Sequence, residues 1–139
     1  MLPVDAKIRR RIEQAGWRLI DPGPISADMT SYQAFVLGSR GEFTVAKDIY
    51  VRPNSGWFSD RSVCYLAAGR PVIMMRTGFS KFYPVGRGLF EFSNDDEALA
   101  GLDAIASNYV VHSDAARALT REYFAADRVL GRLLTETGL

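Results

Sequence analysis

The chain contains a single cysteine, Cys64, and a single histidine, His112. One thiol excludes an internal disulfide and fits a reducing compartment. One thiol and one imidazole are also too few for an ordinary zinc site. No apolar run nears the roughly 18 residues that a membrane span needs. The opening Met1-Leu2-Pro3-Val4-Asp5 lacks the apolar stretch of a secretion signal. The expected location is therefore cytoplasmic. Net charge is only +1, so no field of one sign points to nucleic acid or to a membrane surface. The local run Lys7-Ile8-Arg9-Arg10-Arg11 is either the solvated face of a helix or a small phosphate-backbone patch.

What is present suits a globular protein. Hydrophobic residues make up 47% of 139, enough for one domain, residues 1–139, with a sizeable core. Apolar spacing predicts a helix from Asp5 to about Ala15, stopped by Gly16, then a short strand over 17–20. Asp28 caps a second helix running to about Leu37, and 43–46 reads as a strand. Residues 47–58 have no clear period and carry Pro53, Asn54, Ser55 and Gly56, so a loop is expected. Ser59 is placed to cap a helix over 60–68, with Val63, Leu66 and Ala67 inward and Gly69 at its end.

The continuous apolar run 71–75 suits a strand covered on both faces, the parallel-sheet pattern. A fourth strand is expected over 89–92. Ser93 and Asp96 suggest a capping box for a helix to about Ser107, its inner side formed by Ala98, Leu99, Leu102, Ile105 and Ala106. Ser113 and Asp127 read as caps of two more helices. The first of these turns Ala116, Leu119, Tyr123 and Phe124 inward, and the second Leu130, Leu133 and Leu134. Alternating strands and helices predict an α/β fold. It would be a Rossmann-like, doubly wound, mostly parallel sheet of about four strands, with helices on both faces and a helical C-terminal region. Ligands of such sheets sit beyond the carboxyl ends of the strands.

Lys47, residues 55–61 and Gly78-Phe79 all follow strand ends, so one crevice can collect them. Gly56 lets the backbone approach a ligand closely. Ser59 and the amides of Asp60 and Arg61 lie where a helix dipole is positive, a setting that suits a diphosphate. Arg61 and Lys47 add cations. Asp60 either accepts from a ribose hydroxyl or only favours the helix dipole. Trp57 and Phe58 either flank a base or sugar or belong to the core. Cys64, mid-helix, reads as a small buried thiol and His112 as a surface or supporting residue. Asp95-Asp96-Glu97 fits the first turn of a helix better than a cation site.

Ser55-Gly56-Trp57-Phe58-Ser59-Asp60-Arg61-Ser62, then Cys64-Tyr65-Leu66-Ala67-Ala68-Gly69-Arg70-Pro71-Val72, resembles the C-terminal half of GT-B glycosyltransferases. Thr77-Gly78-Phe79, Gly86-Arg87-Gly88-Leu89, Glu122-Tyr123-Phe124 and Asp127-Arg128-Val129-Leu130 continue the likeness, which covers most of the chain after Gly16. The resemblance implies a half-domain that binds a nucleotide diphosphate or nucleotide-sugar through Lys47, Ser55, Gly56, Trp57, Ser59, Asp60, Arg61, Gly78 and Phe79, with no resident cofactor. In whole enzymes of this kind an N-terminal half binds the acceptor, and that half is expected to be absent here. Many retaining members place two glutamates where this chain has Gly56 and Cys64, and an acid where it has Arg76. The expectation is a donor-binding domain without transferase activity of its own. The alternative is a non-catalytic interaction module, a homodimer or the subunit of a separate partner chain that covers the exposed face. A receiver-like signalling domain fits least, because no strand ends in an aspartate pair.

Overall fold

The computed structural model describes residues 5–138; residues 1–4 and 139, and with them most of the segment judged not to be a secretion signal, lie outside this range. The chain divides into two compact units, Met1–Phe35 and Val36–Leu139.

The first unit carries α1 (Ala6–Gln14), α2 (Pro22–Ile25) and the start of α3 (Met29–Gly38). Asp5 caps α1 as expected, its carboxylate accepting from the Lys7 amide at 2.8 Å and the Ile8 amide at 3.4 Å. Asp28 does the same for α3, accepting from the Ser31 amide at 2.8 Å and the Ser31 hydroxyl at 2.9 Å. The Ser31 amide, then its hydroxyl, holds the Asp28 carboxyl below its ordinary pKa. The strand expected over 17–20 does not form. Trp17 is 61% exposed and Ile20 47%, and among the described residues no strand pairs with this segment. Apolar residues without a neighbouring ladder do not make a sheet.

The second unit is built on a three-stranded parallel sheet in the order β1 (Glu42–Thr44), β2 (Val72–Met75), β3 (Leu89–Phe92). The mixed α/β character and the parallel pairing are as expected. The sheet of the described residues has three strands, not four, because 17–20 contributes none. β2 lies in the middle, and Val72, Ile73 and Met74 are all buried, which is why its sequence is apolar without alternation. Helix α6 (Asp95–Ser107) packs Ala98 and Ile105 against Ile73 and Phe92. Side chains alternate across a strand. Glu42 and Thr44 therefore share the opposite face from Phe43, which stacks on Phe92 at 5.1 Å. Helix α5 (Asp60–Ala67) reaches Glu42 and Thr44 through Arg61, and it packs on α7 (Tyr109–Tyr123). The C-terminal α8 (Ala126–Thr137) follows. No helix of the described residues is long and apolar enough to cross a membrane.

Several local readings are corrected. The segment 47–58 is not all loop: α4 (Asp48–Val51) forms a single turn closed by bonds from the Tyr50 and Val51 amides to the Lys47 carbonyl. One turn is too short to show a helical period. The cap of α6 is Asn94, which accepts from the Glu97 amide at 2.9 Å, while Glu97 accepts from the Ser93 amide at 2.7 Å, so Ser93 and Asp96 are not the capping pair. Ser113 lies within α7 and is buried, its hydroxyl accepting from Arg117. Asp127 sits in the first turn of α8 rather than at its cap. Ala67, Leu99, Leu102, Ala106, Tyr123, Leu130, Leu133 and Leu134 are exposed rather than inward. Cys64 is exposed, and His112 is buried with its Nδ1 accepting from the Gly88 amide at 3.3 Å.

Candidate functional site

Parallel strands followed by helices put the loops after β1 and β2 and the start of α5 on one edge of the sheet. The junction of these loops is held by backbone. The Gly56 amide donates to the Thr77 carbonyl at 2.7 Å, and the Thr77 hydroxyl donates to the Trp57 carbonyl at 2.5 Å. Ser55 donates from its amide and hydroxyl to the Tyr50 carbonyl, and its hydroxyl accepts from the Trp57 amide at 3.3 Å. Glycine is required at both sides of the junction. Gly56 has φ 77°, and a Cβ there would lie 2.9 Å from the Phe82 ring. Gly78 has φ 93°, and its Cβ would lie 2.5 Å from the Asn54 side chain.

This arrangement reassigns several candidates. The amides of Gly56 and Trp57 are consumed by the loop itself. Trp57 stacks on Tyr50, with centroids 4.6 Å apart and planes at 8°. Phe79 is 0% exposed and packs edge-on against Phe58, so its ring is core and cannot touch a ligand. Ser59 is buried and its hydroxyl does not cap α5. The Asp60 carboxylate accepts from the Arg61 amide at 2.8 Å. Lys47 is exposed at the start of α4. Among the described residues the amides of Asp60 and Ser62, in the first turn of α5, have no protein acceptor.

Arg61 does not extend outward as a simple phosphate ligand would. Its Nε donates to Glu42 Oε1 at 2.5 Å and its Nη2 to Thr44 Oγ1 at 3.1 Å. Thr44 in turn donates to the same Glu42 oxygen at 2.8 Å. The Glu42 side chain is 6% exposed and that of Arg61 52%, so the pair spans from the buried sheet face to the surface. Charge-assisted bonds of this kind stabilise by about 1.5–3 kcal/mol each. Removing the guanidinium would leave a buried carboxylate uncompensated. Nothing along the chain signals this pairing beyond Glu42 and Thr44 lying two apart on one strand.

Arg76 lies 3.4 Å from Glu91 and 3.6 Å from Glu97, joining the ends of β3 and α6. Among the described residues no group of three or more His, Cys, Asp or Glu side chains could hold a metal ion. Compared with protein-family models, curated proteins and solved structures, the chain matches none of them.

Proposed function

We propose that this chain is a glycosyltransferase-like, Rossmann-like and doubly wound domain that binds a nucleotide diphosphate or nucleotide-sugar and does not transfer sugar alone. The observation that carries this reading is the pair of unpartnered amides, Asp60 and Ser62, at the start of α5 beside the Gly56–Thr77 junction. Such amides, with the helix dipole behind them, suit a diphosphate. Gly78 brings its backbone close to the same junction, and Lys47 is available as a cation. Arg61, held by Glu42, offers a fixed guanidinium edge rather than a swinging arm. Group transfer requires both reactants to be positioned in one closed cleft, and this corner supports only the donor.

The test is titration of the isotope-labelled chain with UDP, GDP and ADP, followed by amide NMR. The Asp60, Arg61, Ser62 and Gly78 signals should move with at least one of them. Silence of all four toward all three nucleotides would refute donor binding, and turnover of a sugar nucleotide by the purified chain would refute the claim of inactivity.

A second reading, self-association, is favoured by α8. Leu130, Leu133 and Leu134 are each about half exposed on one face with Ala126 and Thr137. The spacing is self-complementary: antiparallel pairing sets Leu130 opposite Leu133 and Ala126 opposite Thr137 of a second copy. Sedimentation should then give a dimer that Leu130→Glu dissolves. A monomer at high concentration would exclude this arrangement.

A further inference from the structure

We infer that the groove between the turn after β2 and the start of α8 is a second anion site, and that it takes a phosphomonoester carried on a ring. The groove encloses about 550 Å³, within the usual range of small-molecule sites. It is distinct from the α5 corner, and it does not depend on that corner binding a donor. Phe82 lies at the boundary, lining the groove and also packing beside Gly56.

Charge selects the ligand class. Lys81, Arg128 and Arg132 line the groove against one carboxylate, Glu122. Glu122 is already engaged by Arg128 at 3.0 Å. Among the described residues Lys81 and Arg132 have no acidic partner, so two uncompensated cationic residues line the groove. These two charges match the phosphomonoester dianion in sign and number. An arginine fork suits phosphate geometrically, and lysine adds a point charge.

The walls select the ring. Tyr83, Tyr123 and Phe124 stand around the same space, with Tyr83 and Phe124 centroids 4.8 Å apart and Tyr83 and Tyr123 5.7 Å apart. Phe124 is pinned from behind by Phe58, stacked at 5.5 Å. Tyr123, 37% exposed and meeting Tyr83 edge to face, keeps ring surface that suits a planar base or the apolar side of a sugar. Side chains this crowded lose little further freedom when a ligand arrives.

Nucleoside monophosphates and sugar phosphates share this chemistry, and the experiment separates them. The labelled full chain is titrated with UMP, AMP, glucose 6-phosphate and inorganic phosphate, reading the Lys81, Tyr83, Tyr123 and Arg132 amides. The same series is run on Lys81→Gln/Arg132→Gln and on Lys81→Glu/Arg132→Glu. Both cations are exposed, and circular dichroism checks that each variant stays folded. The expected result is saturable shifts with at least one ring-bearing phosphate, at least tenfold tighter than with inorganic phosphate. Affinity should drop about tenfold or more in the charge-reversed variant and less in the neutral one. UMP or AMP binding assigns a base to the aromatic wall, and glucose 6-phosphate binding a sugar. Equal binding of inorganic phosphate, affinity unchanged in both variants, or no shift in the groove would overturn the assignment. Shifts confined to Asp60, Arg61 and Ser62 would support the donor corner and overturn the groove.

Discussion

Phe79→Ala should lower stability by about 3–5 kcal/mol, as expected for truncation of a buried aromatic that leaves a cavity. The ring has no exposed surface, and it anchors a chain of aromatic contacts through Phe58 to Tyr83 and Phe124. For a protein of this length the loss corresponds to a fall in melting temperature of roughly 15 °C. Phe79→Leu, which keeps more of the apolar volume, should lose much less. Thermal melts of the three proteins check this. The result also decides between two roles for the residue. A ring that served a ligand would leave the melt of the free protein nearly unchanged on truncation and would weaken binding instead. The core role predicts the reverse order of effects: unfolding first, with loss of any ligand as its consequence.

The same contrast explains which parts of the fold were legible. β2 was readable because a central strand must be apolar on both faces, and Val72-Ile73-Met74-Met75 has no other explanation once Gly69 ends the preceding helix. Asp5 and Asp28 were readable because a cap acts over two or three residues and needs no tertiary partner. Beyond local slips of cap and turn, the failures turn on surroundings supplied by residues distant in sequence. The segment 17–20 has strand-like composition and no ladder to join. His112 looked like a surface residue until Gly88 supplied a donor from 24 residues away. Ser59 has the right chemistry for a cap, yet it is buried and its hydroxyl does not cap α5.

The candidate corner divides along the same line. The turn at Gly56 and the closeness of Gly78 follow from glycine at positions of positive φ. The ion pair that redirects Arg61 does not, because Glu42 is 19 residues earlier and meets it only where α5 reaches β1. The groove between Lys81 and Arg132 was wholly hidden, since its cations come from segments about 50 residues apart. Charge counts along a sequence report neighbours in the chain, whereas a site is made by neighbours in space.

Gly88→Ala should be the most damaging of the glycine substitutions after β2, costing about 2–5 kcal/mol. Two terms contribute. The residue has φ 74°, and an alanine held there is strained by about 1–2 kcal/mol. Its Cβ would also lie 2.5 Å from the Ala116 amide nitrogen and 2.9 Å from the Ala115 carbonyl carbon. Those atoms belong to the backbone of α7 and cannot swing aside, so overpacking adds about 1–3 kcal/mol. Moving the strand instead would strain the bond from the Val72 amide to the Gly88 carbonyl at 2.9 Å and the bond to His112. Gly86 provides the internal comparison: it has φ 96°, but a Cβ there meets nothing within 4 Å. Gly86→Ala should therefore show the conformational term alone. Denaturant unfolding of both variants isolates the steric term as their difference. Equal losses at the two sites would mean that α7 does not press on β3 at this point, and the packing of the helix against the sheet would have to be redrawn.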